Sequence, residues 1–183
     1  MRAYQKVDFN FDLRYTLAMN NTGELDPKEY VVVLGLLQQI DFFKNVPEEE
    51  LKNVLFSLQK EAFPANKTIL FQGEIANRLF IIRQGSVTIT TKNKGTKITL
   101  AELKAGMYFG EISLLRPTSA TATVTAGDAG ADVIILSHDA MTAIAKKIPD
   151  IQERIKKVID DRMASKKKAK DADDNPAEVK PQA

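Results

Sequence analysis

Apolar residues in this chain follow two periods, and the changes of period divide it. From Val32 to Ile40 they recur at helical spacing, with Val32, Leu36 and Ile40 in line and Val33 and Leu37 alongside. Asp26-Pro27-Lys28-Glu29 supplies a start signal. Asp26 is placed to cap, Pro27 suits the first helical position, and Glu29 is placed to reach back as in a capping box. A second helix is predicted from Pro47, with Glu48, Glu49 and Glu50 at its positive end and Leu51, Val54, Leu55 and Leu58 as its buried face. From about Lys67 to Leu136 the pattern turns β-rich. Val87 and Ile89 alternate with threonines, and Asn93-Lys94-Gly95 marks a hairpin turn. Val133-Ile134-Ile135-Leu136 reads as a buried closing strand, and Ala126-Gly127-Asp128-Ala129-Gly130 before it as a turn-like loop. Helical spacing then returns. Ser137 is the expected N-cap, with Asp139 in the first turn, of a helix reaching about Lys147. Pro149 restarts a second helix, with Ile151, Ile155, Val158, Ile159 and Arg162 along one side.

The two ends have no such period. Phe9, Phe11, Leu13 and Tyr15 alternate with polar residues, which fits a short strand, an extended arm or a flexible leader. Beyond Ser165, a Lys166-Lys167-Lys168-Ala169-Lys170 run precedes an acidic, Pro-containing end with almost no large apolar residue. Such a segment buries too little surface to fold, so disorder is expected. The chain thus divides into a leader arm (1–25), N-terminal helices (26–60), a β-rich region (61–137), C-terminal helices (138–164) and a charged tail (165–183). The fold class is α+β, mainly β.

The most informative stretch is Phe109-Gly110-Glu111-Ile112-Ser113-Leu114-Leu115, followed by Ala120-Thr121-Ala122-Thr123-Val124. It reads as a tight turn, one carboxylate on a short helix, then a return strand. Glycine lets backbone amides approach an anion with no side chain in the way. A helix start after it adds N–H groups and a partial positive charge. A fixed carboxylate beside such a turn is useful where the ligand also donates hydrogen bonds, as a ribose hydroxyl does.

This stretch resembles the phosphate-binding cassette of the cyclic-nucleotide-binding domain family, the type found in protein kinase A regulatory subunits and the catabolite activator protein. Phe109, Gly110 and Glu111 match the family pattern, as do Ala122, Thr123 and Val124. The similarity runs from about Asp41 to Met163 and takes in Ile69-Leu70-Phe71-Gln72-Gly73-Glu74 and Leu79 to Ile89, with Gly73, Gly85 and Gly106 where the family turns its strands. The resemblance implies a jelly-roll-like β-roll flanked by helices, with a cassette over 109–124 and a hinge and lid after it. It implies a cyclic AMP or cyclic GMP ligand held by Phe109, Gly110, Glu111, Ile112, Ser113, Ala120 and Thr121, with Glu111 on the ribose. The family's phosphate-binding arginine is replaced: Ala120 stands at the expected position and Thr121 at the next. In some relatives a threonine there favours guanine. A lost charge-assisted hydrogen bond is worth about 1.5–3 kcal/mol, or roughly ten- to more than a hundredfold in affinity. The amides from Gly110 to Ser113 and the hydroxyls of Ser113 and Thr121 are left to hold the phosphate. Arg78, Arg83 and Arg116 are the nearby basic residues, and Arg116 lies in the cassette loop as a phosphate helper.

Composition narrows the rest. The 183 residues suffice for one domain with appendages, and 44% are hydrophobic, as in an ordinary globular chain. With no cysteine there is no disulfide framework and no cysteine nucleophile or metal site, which fits a reducing, cytoplasmic compartment. A net charge of +2 gives no argument for specific nucleic-acid binding. The start lacks a signal-peptide core, and the longest apolar run, Val31 to Leu37, is far short of a membrane span. The single histidine, His138, falls at a helix start and reads as structural. No nucleophile–base pair, metal cluster or phosphate-binding lysine loop points to an enzyme or a cofactor. Two functions follow: a regulatory module sensing a cyclic nucleotide and signalling by helix movement, or a β-roll that binds no nucleotide and serves as a protein-interaction scaffold. Both call for an unidentified protein effector or a homodimer, through the apolar faces around Val32–Ile40 and Ile151–Ile159.

Overall fold

The computed structural model describes residues 25–93, 95–115, 117–148 and 150–173. The expected leader arm lies almost wholly outside them, as do Arg116 and residues 174–183.

Asp26 starts the first helical segment, but through a 3-10 turn over Pro27–Glu29 rather than a capping box. The Lys28 amide donates to Asp26 Oδ1 at 2.8 Å. Glu29 turns away from the helix start: its carboxylate lies 2.9 Å from Lys60 Nζ and 3.1 Å from Arg83 Nη1. Arg83 also pairs with Asp132 at 2.6 Å, so this clasp ties the helix start to three strands. Helix α1 (Tyr30–Gln39) buries Tyr30, Val33, Leu34 and Leu37. Val32, in line with Leu36 and Ile40 in the sequence, is 56% exposed. A run apolar all round carries no phase, so the sequence left the inner face open by one position. In α2 (Glu48–Leu55) the inner face is Leu51, Val54 and Leu55. Leu58, expected on the same helix, instead opens strand β1 (Leu58–Phe63), opposite Leu136.

The β-roll is one six-stranded sheet plus a small two-stranded one. Besides β1 it comprises β2 (Thr68–Leu70), β3 (Ile75–Ala76), β4 (Arg78–Asn93), β5 (Thr96–Lys104), β6 (Tyr108–Phe109), β7 (Thr118–Ser119) and β8 (Thr123–Ser137), with a short helix α3 (Ile112–Leu115) between β6 and β7. The main order is β1-β8-β4-β5, all antiparallel, with β2 on β8 and β6 on β4; β3 pairs with β7. The hairpin expected at Asn93-Lys94-Gly95 joins β4 to β5, with Asn93 opposite Thr96.

The segment 126–130 is not a loop. It lies within β8, whose register against β4 shifts between Ile82 and Gln84 and again between Gly85 and Val87. Its glycines serve close approach rather than chain reversal. A Cβ on Gly85 would stand 2.2 Å from the Gly130 carbonyl oxygen, and one on Gly130 would stand 2.7 Å from that of Phe63. The shifts let two long strands coil without separating.

Each face of the sheet has its own core. Leu79, Ile81, Ile134 and Leu136 face the helices, packing with Leu37, Phe42, Phe43, Leu51 and Ile155 among others. Phe80, Ile82, Val87, Phe109, Val124, Val133 and Ile135 fill the inside of the roll. Ser137 caps α4 (His138–Ala145) as expected, its Oγ accepting from the Ala140 amide. The final helix, α5, runs Ile151–Asp173. It passes the boundary at 164 drawn from the sequence, because alanine and lysine are strong helix formers and extend a helix already nucleated by packing.

Candidate functional site

The cassette is held at its start by aromatic stacking and a glycine. Tyr108 and Phe109 pair with Ile81 and Phe80 of β4. The Phe80 and Phe109 rings stack with centroids 4.8 Å apart and 6° between planes. The chain then turns at Gly110, with φ +86°. A Cβ there would lie 2.4 Å from the Arg78 carbonyl oxygen, so both conformation and space require glycine. The single turn of α3 follows. The Ser113 hydroxyl donates to the Gly110 carbonyl at 2.7 Å, and the residue is 2% exposed. Its hydroxyl thus braces the turn. His138 Nδ1 lies 2.7 Å from the Leu114 carbonyl oxygen. A carbonyl only accepts, so the ring proton sits on Nδ1 and the histidine ties α4 to the end of α3. This is the structural role expected of it.

The second half of the cassette is strung on the 71–76 segment. The Ala120 amide donates to the Glu74 carbonyl and the Gly73 amide to the Ala120 carbonyl, each at 2.8 Å. The Gln72 amide donates to Thr123 Oγ1 at 3.0 Å. Ala120, standing where the resemblance calls for arginine, is half-buried against the apolar interior of the roll. Thr121 is exposed and Ile112 half-buried. Of the three arginines considered from sequence, Arg83 is consumed by the Glu29–Asp132 clasp. Arg116 lies outside the described residues. Arg78 is exposed, and its backbone lies directly under Gly110.

The cassette carboxylate already has a partner. Glu111 is 5% exposed, and its Oε2 lies 2.9 Å from Nη1 of Arg162 on α5. The guanidinium carbon sits 4.3 Å from the centre of the Tyr108 ring, and Nη1 also donates to the Tyr108 carbonyl at 3.4 Å. One cation thus bridges the final helix, the strand before the cassette and the cassette carboxylate. Burial pushes the Tyr108 phenol above its ordinary pKa, and the nearby Arg162 charge works against that shift. Ile151, Ile155 and Ile159 hold this helix on the core and carry Arg162 one turn further along the same side. Arg162 was legible as part of that stripe, but its carboxylate partner was not. Tyr108 was missed altogether, although an aromatic next to the cassette start is a usable signal.

Against known proteins, the profile of the cyclic nucleotide-binding domain matches residues 60–147. The human cyclic nucleotide-gated channel beta-3 is 30% identical over 148 residues, covering 79% of this chain and 18% of the channel. The chain spans less than a fifth of this and two other curated relatives. A solved cyclic nucleotide-binding domain from Methylobacillus flagellatus shares the fold, with a TM-score of 0.67 at 21% identity over 84% of this chain and 88% of that one. The regulatory domain of Toxoplasma gondii PKA, solved with cAMP, gives a TM-score of 0.61 at 25% identity, covering 67% of this chain and 47% of that one.

Proposed function

Starting from a region, residues 60–147, that belongs to the cyclic nucleotide-binding domain family, we propose that the cassette senses a cyclic nucleotide, cAMP or cGMP, and that α5 carries the signal to a protein partner. The observation that carries this reading is the Glu111–Arg162 pair. A ribose hydroxyl needs the Glu111 carboxylate, and with 5% of that residue exposed it reaches the carboxylate only when Arg162 moves aside. Ligand and helix compete for one carboxylate, so ligand differs in affinity between the two positions of α5. That difference is what a population shift requires. The phosphate rests on the turn at Gly110, with Thr121 and the exposed Arg78 as the flanking polar groups. With Ala120 in place of arginine, binding is weak. The output is non-catalytic, through an effector or a second copy of the chain, and the cysteine-free composition suits a cytoplasmic setting.

A second reading has its own support. Ala120 packs partly into the apolar interior, and Arg162 satisfies Glu111 without a ligand. These favour a scaffold in which the contact is permanent. Calorimetry of the whole chain with cAMP and with cGMP separates the two. Saturable heat that Glu111→Ala abolishes supports sensing. No heat with either nucleotide, in a protein that melts cooperatively, leaves the scaffold.

A further inference from the structure

The outer face of α1 is apolar at its start and polar at its end. Val33, Leu34 and Leu37 turn into the core, which leaves Val31 66% and Val32 56% exposed, with Gln38 and Gln39 exposed beyond them. Phe56, 54% exposed, stands at the same end of the helix, its ring edge-on to Tyr30 with centroids 5.9 Å apart. Gly35 lies four residues from Val31 and three from Val32, on the same side of the helix. Glycine inside a helix is destabilising relative to alanine, and nothing among the described residues asks for it here. Its backbone is not left-handed, and a Cβ on it would meet no atom of them within 4 Å. Scattered apolar residues on a surface are ordinary. Two valines beside a notch, with an aromatic ring at the same helix end, are a grouped face that the core does not use.

We propose that this face is the seat of the chain's own N-terminal arm, residues 9–15, laid across α1 in extended form. The pattern of the arm is the first argument. Every odd position from Val7 to Leu17 is apolar and every even position between them is polar, so the extended arm has one wholly apolar side that needs a surface to cover it. Reach is the second. The described chain enters at Leu25, 3% exposed, just before the 3-10 turn that leads into α1. Asn20-Asn21-Thr22-Gly23 ahead of it supplies the turn chemistry for doubling back. The ten residues from Tyr15 to Leu25 span up to about 35 Å, and five extended residues cover about 15 Å, the length of a ten-residue helix such as α1. Shape is the third. Phe9 and Phe11 are bulky knobs, and Gly35 between the valines leaves room for one. The inner face of α1 belongs to the core, and the Glu29 clasp fixes its start. With the arm down, this helix has no apolar face left for an effector.

The test is NMR on the whole chain with valine methyls and phenylalanine rings labelled. Nuclear Overhauser contacts from the Phe9 and Phe11 rings to the Val31 and Val32 methyls are expected. In a mixed sample, with the ring label in one half of the molecules and the methyl label in the other, they should vanish. The double variant Phe9→Ser, Phe11→Ser leaves the core of the roll intact. It should shift those methyls and speed amide exchange over Tyr30–Leu36, because the cover is gone. Gly35→Leu favours the helix and fills the notch. It should abolish the contacts in a protein that still melts cooperatively. The proposal is overturned if the parent shows no such contacts, or if they persist in the mixed sample, which makes the occupant the arm of a second copy. It is equally overturned if the double variant leaves the two valine methyls where they were, or if Gly35→Leu leaves the contacts unchanged.

Discussion

Replacing Arg162 by alanine tests whether α5 is fastened to the cassette by one ion pair. The substitution removes a guanidinium 2.9 Å from a carboxylate whose side chain is 6% exposed, and withdraws the cation from the Tyr108 ring. Breaking a fully buried pair costs about 3–5 kcal/mol. Here the arginine side chain is 38% exposed, so solvent screens part of the field and about 1.5–2.5 kcal/mol is the reasonable share. The cation–π contact adds about 0.5–1 kcal/mol. A loss of about 2–3.5 kcal/mol should lower the melting temperature by roughly 4–14 °C in a chain of this length. A double-mutant cycle with Glu111→Gln isolates the pair, with an expected coupling of about 1–2 kcal/mol from urea denaturation at unchanged slope. Freed of its competitor, Glu111 in Arg162→Ala should bind nucleotide roughly five- to thirtyfold more tightly. Coupling below about 0.3 kcal/mol, within the error of additivity, would refute the fastening. Weaker nucleotide binding in the variant would refute competition, since Arg162 would then be helping the ligand.

Two further substitutions address the cassette itself. Gly110→Ala forces a side chain into φ +86° with its Cβ 2.4 Å from the Arg78 carbonyl oxygen; a destabilisation above about 2 kcal/mol is expected in denaturant melts, combining strain and overpacking, and a wild-type midpoint would contradict the geometry. Ala120→Arg restores the cation that the family pattern places there, and calorimetry should show nucleotide affinity rising by roughly tenfold or more; no gain in a folded variant argues against a phosphate at this turn.

Much of this protein was legible without coordinates. Helix starts at Asp26 and Ser137, the turn at Asn93-Lys94-Gly95 and the strand Val133–Leu136 rest on local physics: caps, a left-handed glycine, β-branched runs. The turn of the cassette was equally legible in Phe109-Gly110-Glu111, because a close backbone approach leaves a glycine. Tertiary packing decided what local pattern leaves degenerate. The uniformly apolar run at Val31–Leu37 has no phase until a sheet selects Val33 and Leu37 for the inside. Leu58 suits a helix or a strand until Leu136 pairs with it. The glycines of 126–130 signal a turn when read alone, yet Gly130 is spent on the approach of Phe63. The meeting of Arg162 with Glu111 across 51 positions was decided in the same way: each residue is ordinary in its own segment, and only the packing of α5 on the roll brings the charges together.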